Sequence, residues 1–263
     1  MDLVYIVKNS EVNEDLRYSL RSVAKFVPHD KIWIVGYKPS WVQNVEYLPV
    51  PQNLGSKWKN SVNNIIKACE CEDISENFVL MNDDFFAIKP IENLEESINL
   101  SLENLMNSVE KYNKKKFKSN WMKAFEYVEE LLKGLNIKEP YYNYESHTPL
   151  LINKQKYLEI MNLPEVLEFR KTNKVLHKRS LYKNIIKPIN QKILSHDVKL
   201  RQDKDDTNLK IDICDWISVY DNQVGNPRFP HLNGLLYQTF PESCKYEKIK
   251  EKPVHRKGKY MNY

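Results

Sequence analysis

The chain has 263 residues, 41% of them hydrophobic and 29% charged, with a formal net charge of +5. That balance excludes a disordered chain and predicts a folded protein able to bury a sizeable core, as one large domain or one domain with an insertion. No apolar run reaches the roughly 18 residues that a membrane-spanning helix requires.

Leu3 to Val7 is apolar and β-branched, which predicts a first strand and not a signal peptide. Asn13-Glu14-Asp15 can cap a helix whose apolar face is Leu16, Leu20, Val23 and Ala24, with Arg17 and Arg21 together on another face. Ile32 to Val35 predicts a second buried strand closed by Gly36, and Val45 to Val50 a third. Trp58, Val62, Ile65 and Ile66 give the apolar stripe of a helix over Lys57–Cys69. Phe78-Val79-Leu80-Met81 then fits a strand buried on both faces. Strand, helix, strand, strand, helix, strand within the first ninety or so residues predicts an α/β fold with helices packed on a sheet.

From Ile91 to Leu135 helical spacing dominates, interrupted by a basic break over Lys111–Lys118, so 91–135 reads as a helical insertion or lid without sheet. Pro149-Leu150-Leu151-Ile152 precedes a helix over Lys154–Met161, and residues 165–193 read as basic and helical. Residues 196–210 are polar and loop-like, Leu209–Ile213 and Trp216–Tyr220 are candidate strands, and 245–263 reads as a basic tail that wraps or frays. The domain assignment is therefore a single domain over 1–263.

Charge is unevenly spread. Residues 165–201 carry ten Lys and Arg against three acids, a net +7. Such a concentration suits a phosphate-bearing or polyanionic partner, and a solvated helix face is the plain alternative. Four cysteines, Cys69, Cys71, Cys214 and Cys244, are too few and too irregular for a disulfide framework or a zinc site, which points to free thiols in a cytoplasmic setting.

The chemistry concentrates where apolar runs stop. Asn82-Asp83-Asp84 closes the Phe78–Met81 strand, and acids at the carboxyl end of such a strand can hold a hard cation, Mg²⁺ or Mn²⁺, that neutralises a diphosphate. A solvated turn is the bland reading of the same residues. His147 lies among Tyr141, Tyr142, Tyr144 and Glu145, where a neutral imidazole can act as general base on a hydroxyl. His177 sits among Arg170, Lys171, Lys174, Lys178 and Arg179, a candidate phosphate patch. Six glycines form neither a dinucleotide fingerprint nor a Walker loop, so nucleotide phosphates would rely on metal and side-chain cations.

Taken in order, Asn13-Glu-Asp-Leu-Arg-Tyr-Ser-Leu-Arg-Ser22, Ile32–Val35, Pro39-Ser-Trp41 and Phe78-Val-Leu-Met-Asn-Asp-Asp-Phe85 resemble the Stealth family of sugar-1-phosphate transferases. That family includes capsular polysaccharide polymerases and N-acetylglucosamine-1-phosphotransferase. Ser146-His147-Thr148-Pro149 and Phe240-Pro241-Glu-Ser243 with Tyr246-Glu247 are similar, more loosely, to later blocks. Gly55-Ser56-Lys57-Trp58 stands where the family carries a Leu-Pro-Thr-Phe-like stretch. The resemblance implies a GT-A-like, Rossmann-like sheet, a nucleotide-sugar donor, and a hydroxyl acceptor on a glycan. It also implies that Asp83 and Asp84 hold the metal and that Asp84, His147 and Arg21 serve catalysis. Asn9, Asn13, Arg17, Asn82, Arg170, His177 and Arg179 would bind donor or phosphate. Attack at phosphorus would release a nucleoside monophosphate, and attack at the anomeric carbon a diphosphate. The +7 segment keeps open a transferase acting on hydroxylated bases of DNA, or a nucleic-acid-binding module without catalysis.

Overall fold

The computed structural model describes residues 1–114, 119–194, 198–200, 214–219 and 224–248. At its centre is a sheet of five strands in the order β3-β2-β1-β4-β7. The strands β1 (Asp2–Val7), β2 (Ile32–Gly36), β3 (Glu46–Pro49) and β4 (Asn77–Asn82) run parallel, and β7 (Leu150–Asn153) joins β4 antiparallel. The α/β expectation therefore holds. Pro49 ends the edge strand β3, where a missing N–H breaks no ladder.

Alternation along each strand divides the core in two. Val4, Trp33, Val35, Phe78 and Leu80 face one layer with α2 (Lys57–Glu70), α5 (Asn120–Gly134), α6 (Lys154–Met161) and α8 (Lys178–Ile186). Leu3, Tyr5, Ile32, Ile34, Val79 and Met81 face the other, with Leu16, Leu20 and Val23 of α1 (Glu14–Phe26). Burial on both faces is why these strands read as unbroken apolar runs. Gly36 leaves β2 at φ +106°, and a Cβ there would lie 2.4 Å from the Val7 carbonyl oxygen, so no other residue fits the turn.

The region read as an insertion contains α3 (Leu94–Ile98), α4 (Leu105–Asn113) and α5, and also a two-residue strand, β6 (Leu100–Ser101), paired with β8 (Lys192–Ile193). The expectation of no sheet there is corrected, since two residues are too few to show a period. Leu105, Val109, Phe125, Val128 and Leu132 share one core with the sheet. The basic stretch 165–193 resolves into α7 (Pro164–Lys171), α8 and β8. The candidate strand Leu209–Ile213, most of the 196–210 loop and Lys115–Lys118 lie outside the described residues. A third ladder pairs β5 (Phe85–Ala87) with β9 (Trp216–Ser218), and α9 (Pro230–Thr239) follows it.

Helix α1 ties these parts together. Ser19 Oγ donates to the Phe85 carbonyl at 2.5 Å, and Ser22 Oγ accepts from Ala87 N–H at 3.1 Å, so the helix satisfies the open edge of β5. Asp15 accepts from Val224 N–H at 3.0 Å. Arg17 and Arg21 close on Glu247: Arg17 Nη1 and Arg21 Nη2 donate to Oε2 at 2.8 Å each, and Arg21 Nε to Oε1 at 2.6 Å. The start of the expected tail is thus core structure, with Tyr246 and Glu247 buried; the rest, 249–263, lies outside the described residues.

Burial by itself would raise the Glu247 carboxyl, but the hydrogen bonds from Arg21 and Arg17 outweigh it and hold the group below its ordinary value. Glu247→Ala removes the shared carboxylate of two buried guanidiniums, leaving Arg17 with Glu14 and Arg21 with the Phe240 carbonyl, and is expected to cost about 3 kcal/mol at neutral pH by urea unfolding. Because the folded value lies below the unfolded one, this contribution is complete above about pH 4.3 and disappears as pH falls through the depressed value. The two unfolding curves should therefore converge in acid. A constant gap down to acid pH would assign the loss to packing alone.

Candidate active site

Strand order reverses between β1 and β4: from β1 the chain adds β2 and β3 on one side, then β4 on the other. In open α/β sheets the crevice outside the carboxyl ends at such a switch point is where ligands collect. Ile6 is level with Asn82 there, so Asn9 follows β1 into this crevice and Asp83-Asp84 follow β4 into it. Asn13 caps α1 through Oδ1, which accepts from Leu16 N–H at 3.0 Å, while its Nδ2 donates to Asp83 Oδ2 at 2.8 Å. The positive end of the α1 dipole therefore faces the acid.

Asp84 is buried within a polar cluster. Its Oδ2 accepts from Ser218 Oγ at 3.0 Å and from Lys199 Nζ at 3.2 Å. The β5–β9 ladder sets Ser218 opposite Phe85, and Lys199 bridges to Ser218 from the next segment. Lys199 Nζ also lies 3.5 Å from His147 Nδ1, so one ammonium spans the acid and the imidazole.

His147 occupies the left-handed region at φ +53°, a conformation that costs a non-glycine residue on the order of 1 kcal/mol. Its neighbours enforce it. Ser146 Oγ reaches Thr148 Oγ1 at 2.9 Å and the Leu100 carbonyl at 3.4 Å. Arg179 Nη2 donates to the Thr148 carbonyl, and the guanidinium stands 5.6 Å over the Phe85 ring. Arg179 Nε, in a side chain only 6% exposed, has no hydrogen-bond partner among the described residues. Burial lowers the guanidinium value, opposed by Glu145 and then Asp84.

The structure thus gathers Asp84, His147 and Arg179 at one end of the sheet, with Asn13 and Asp83 beside α1. Asn82 closes β4 and Asn9 is exposed beyond β1. Other candidates go elsewhere. All three guanidinium nitrogens of Arg21 are taken by Glu247 and the Phe240 carbonyl, and Arg17 adds Glu14 at 3.1 Å. Both arginines orient an acid, but that acid is Glu247. Arg170 Nη1 donates to the Met161 carbonyl at 3.0 Å.

His177 is enclosed by Trp121 and Phe125, with ring centroids 5.0 and 4.4 Å away, so it does not sit on a solvated basic face. Burial is the largest influence and lowers its value, against the opposing charge of Glu145. Glu145 belongs to this second histidine and to Ser180 N–H, at 3.9 and 3.2 Å, and not to His147. Lys199 and Ser218 were not singled out from sequence. Ser218 lies in a recognised apolar strand, whereas nothing in the polar run around Lys199 marks it.

Asp83 and Asp84 offer hard oxygens of the kind Mg²⁺ or Mn²⁺ takes when waters and substrate phosphates complete its shell, and they fit such an ion chemically. Among the described residues there is no group of three His, Cys, Asp or Glu that could hold a metal by itself. Among the described residues no helix is long and apolar enough to cross a membrane.

No known family profile matches this chain, and no curated protein matches it. Among solved structures, the galactosyltransferase LgtC, in complex with donor and acceptor sugar analogs, is 12% identical over 70% of this chain and 70% of its own, with a TM-score of 0.44. The glycosyltransferase GlyE of Streptococcus pneumoniae is 9% identical, covering 73% of this chain and 44% of its own at a TM-score of 0.39. Mouse xyloside xylosyltransferase 1 is also 9% identical, over 77% and 88%, at 0.40.

Behind the cluster, Lys183 is 1% exposed and donates to Asn99 Oδ1 at 3.3 Å. Burial, then the charge of Arg179, brings its ammonium down to about 8. Between that value and about 10.4 the unfolded chain holds the extra proton, so stability rises with pH across this window. Lys183→Met should remove that rise, seen as melting temperatures of the two proteins that approach each other from about pH 7 to about pH 10. Parallel profiles would show that Lys183 keeps its proton.

Proposed function

We propose that the chain is a GT-A-like, Stealth-like transferase that takes a nucleotide-activated sugar and passes its sugar-1-phosphate, or the sugar itself, to a hydroxyl acceptor. The observation that carries this reading is the convergence of Asp84, His147, Arg179 and Lys199 at the switch point of the sheet. Transfer from a nucleotide sugar requires compensation of phosphate charge, a means of removing the acceptor proton, and exclusion of water. Support also comes from two of the blocks that carry the family resemblance, Asn13–Ser22 and Phe78–Phe85, which meet through Asn13 and Asp83. Four free cysteines suit the cytoplasmic setting included in this reading.

Asp83 and Asp84 would hold Mg²⁺ or Mn²⁺, which when bound would offset the charge of the donor diphosphate. Arg179 and Lys199 add fixed positive charge in a site of low dielectric, where it acts most strongly on the transition state. His147 takes the acceptor proton as the oxygen attacks. If Lys199 donates to Nδ1, the neutral ring carries its own proton on Nε2, so proton uptake at Nδ1 requires Lys199 to turn toward phosphate. The backbone of His147, pinned by Ser146 and Thr148, fixes where the imidazole points. Attack at phosphorus with loss of a nucleoside monophosphate is the preferred outcome of this proposal.

Incubation with a panel of nucleotide sugars and either ion tests the reading: monophosphate release indicates sugar-phosphate transfer, and diphosphate release indicates glycosyl transfer. Chelator should abolish activity and Mg²⁺ or Mn²⁺ should restore it, with Asp83→Asn and Asp84→Asn each losing most of the rate while remaining folded by circular dichroism. Full turnover in excess chelator would exclude the metal. His147→Ala should lower turnover about 10²–10⁴-fold with donor affinity unchanged by calorimetry. Loss of donor affinity in step with rate would place His147 in the phosphate site instead.

A further inference from the structure

A cavity of about 380 Å³ opens between the start of α2 and the end of α7, and none of the active-site residues described above lines it. Two aromatics, Trp58 and Phe169, and four cations, Lys59, Arg170, Lys171 and Lys174, share its wall with the aliphatic Leu54, Val62, Leu167 and Leu176, and neither Asp nor Glu lines it. Lys171 is paired with Glu168 in an exposed ion pair. The other three cations have neutral partners among the described residues. Lys59 Nζ donates to Asn173 Oδ1 at 3.0 Å, Arg170 donates to a carbonyl, and Lys174 Nζ stands 4.5 Å over the Tyr127 ring. A concave surface with positive charge uncompensated by acids attracts an anion.

The +7 segment is therefore not one patch. Arg179, Lys183 and Lys199 turn inward to Thr148, Asn99 and Asp84, while Arg170, Lys171 and Lys174 turn to this cavity. The arrangement of the wall narrows the ligand. Each aromatic is followed directly by a cation, Trp58 by Lys59 and Phe169 by Arg170 and Lys171. Planar surfaces interleaved with cations match a polymer that alternates flat bases with phosphates. Helix α2 follows β3 in a parallel sheet, so its first turn lies at the carboxyl edge of the strands, the edge that bears Asp83 and Asp84.

We propose that this cavity binds single-stranded nucleic acid, with bases stacked on Trp58 and Phe169 and phosphates on Lys59, Arg170, Lys171 and Lys174, and that the bound strand presents the acceptor hydroxyl to the site. The acceptor assignment rests on the transfer reading above, but binding to the cavity does not.

Fluorescence anisotropy of a labelled oligothymidylate with the full chain, without donor or metal, tests the binding. Affinity should fall with salt with a log–log slope of about −3, from about −0.7 per phosphate contact. Lys59→Gln and Lys174→Gln should each flatten the slope by about 0.7. Both should leave the melting temperature and the affinity for the nucleotide sugar by calorimetry unchanged. Trp58→Ala should weaken binding by about 5- to 150-fold.

Absence of binding at low salt overturns the proposal, as do lysine variants with an unchanged slope. Equal competition by thymidine monophosphate would mean a site for a free nucleotide, and stronger competition by a polyuronate would mean an acidic glycan; either overturns it. Donor turnover without oligonucleotide binding would sink this inference alone. Binding without any donor turnover would leave the cavity assigned and remove the transfer reading.

Discussion

Two guanidiniums closing on one buried carboxylate hold this structure in its arrangement. Removing Glu247, Arg17 and Arg21 from water is costly, and the cost is offset only because each charged atom finds a partner. Glu247 also accepts from Cys244 N–H at 3.0 Å, and the Arg17 guanidinium lies 4.1 Å from the Trp41 ring centre. The cluster fixes the rotation of α1 about its axis. With that rotation set, Ser19 and Ser22 meet β5, Leu16 and Leu20 meet the sheet, and Asn13 meets Asp83. Sheet, short ladder and acid pair are all positioned by one helix whose polar side chains point inward.

The candidate site inherits its geometry from this frame. Asp84 is the last polar residue before β5, and the β5–β9 pairing brings Ser218 and Lys199 onto its carboxylate. On the opposite wall β7 begins just after His147, and Arg179 at the start of α8 locks the backbone beside it. Acid, imidazole and cations thus come from different elements, each held by hydrogen bonds that do not involve a ligand. Such preorganisation lets the charge of Arg179 act without rearranging at the moment of reaction, while Lys199 is the cation that turns.

Much of the fold was legible because burial on both faces leaves a plain trace: β1, β2 and β4 are uninterrupted apolar runs, and α1 and α2 carry helical stripes. The short strands β5, β6 and β8 left none, since two or three residues have no measurable period. Asp83, Asp84 and His147 stood out because they interrupt apolar or aromatic stretches. Arg17 and Arg21 were misleading. Two arginines four apart look alike on an exposed face and in a buried cluster, and the acid that decides between these lies 230 residues away from Arg17. His177 was obscured in a similar way, because its enclosure depends on Trp121 and Phe125, which no local pattern connects to it.

That same separation has a consequence for how the protein comes to exist. A helix made in the first tenth of the chain exposes two arginines and two serines on its inner side until residues 85–87 and 247 arrive to meet them. Synthesis proceeds at about 5–20 residues per second, so α1 waits many seconds for its last partner. Early in that interval, until residues 77–82 are made, the half-sheet β3-β2-β1 has an open edge where β4 will pair, which is a template for association with other chains. The final steps of folding therefore close a loop of 230 residues between Arg17 and Glu247, and the active-site edge, which takes in Lys199 and Ser218, is completed after the scaffold beneath it.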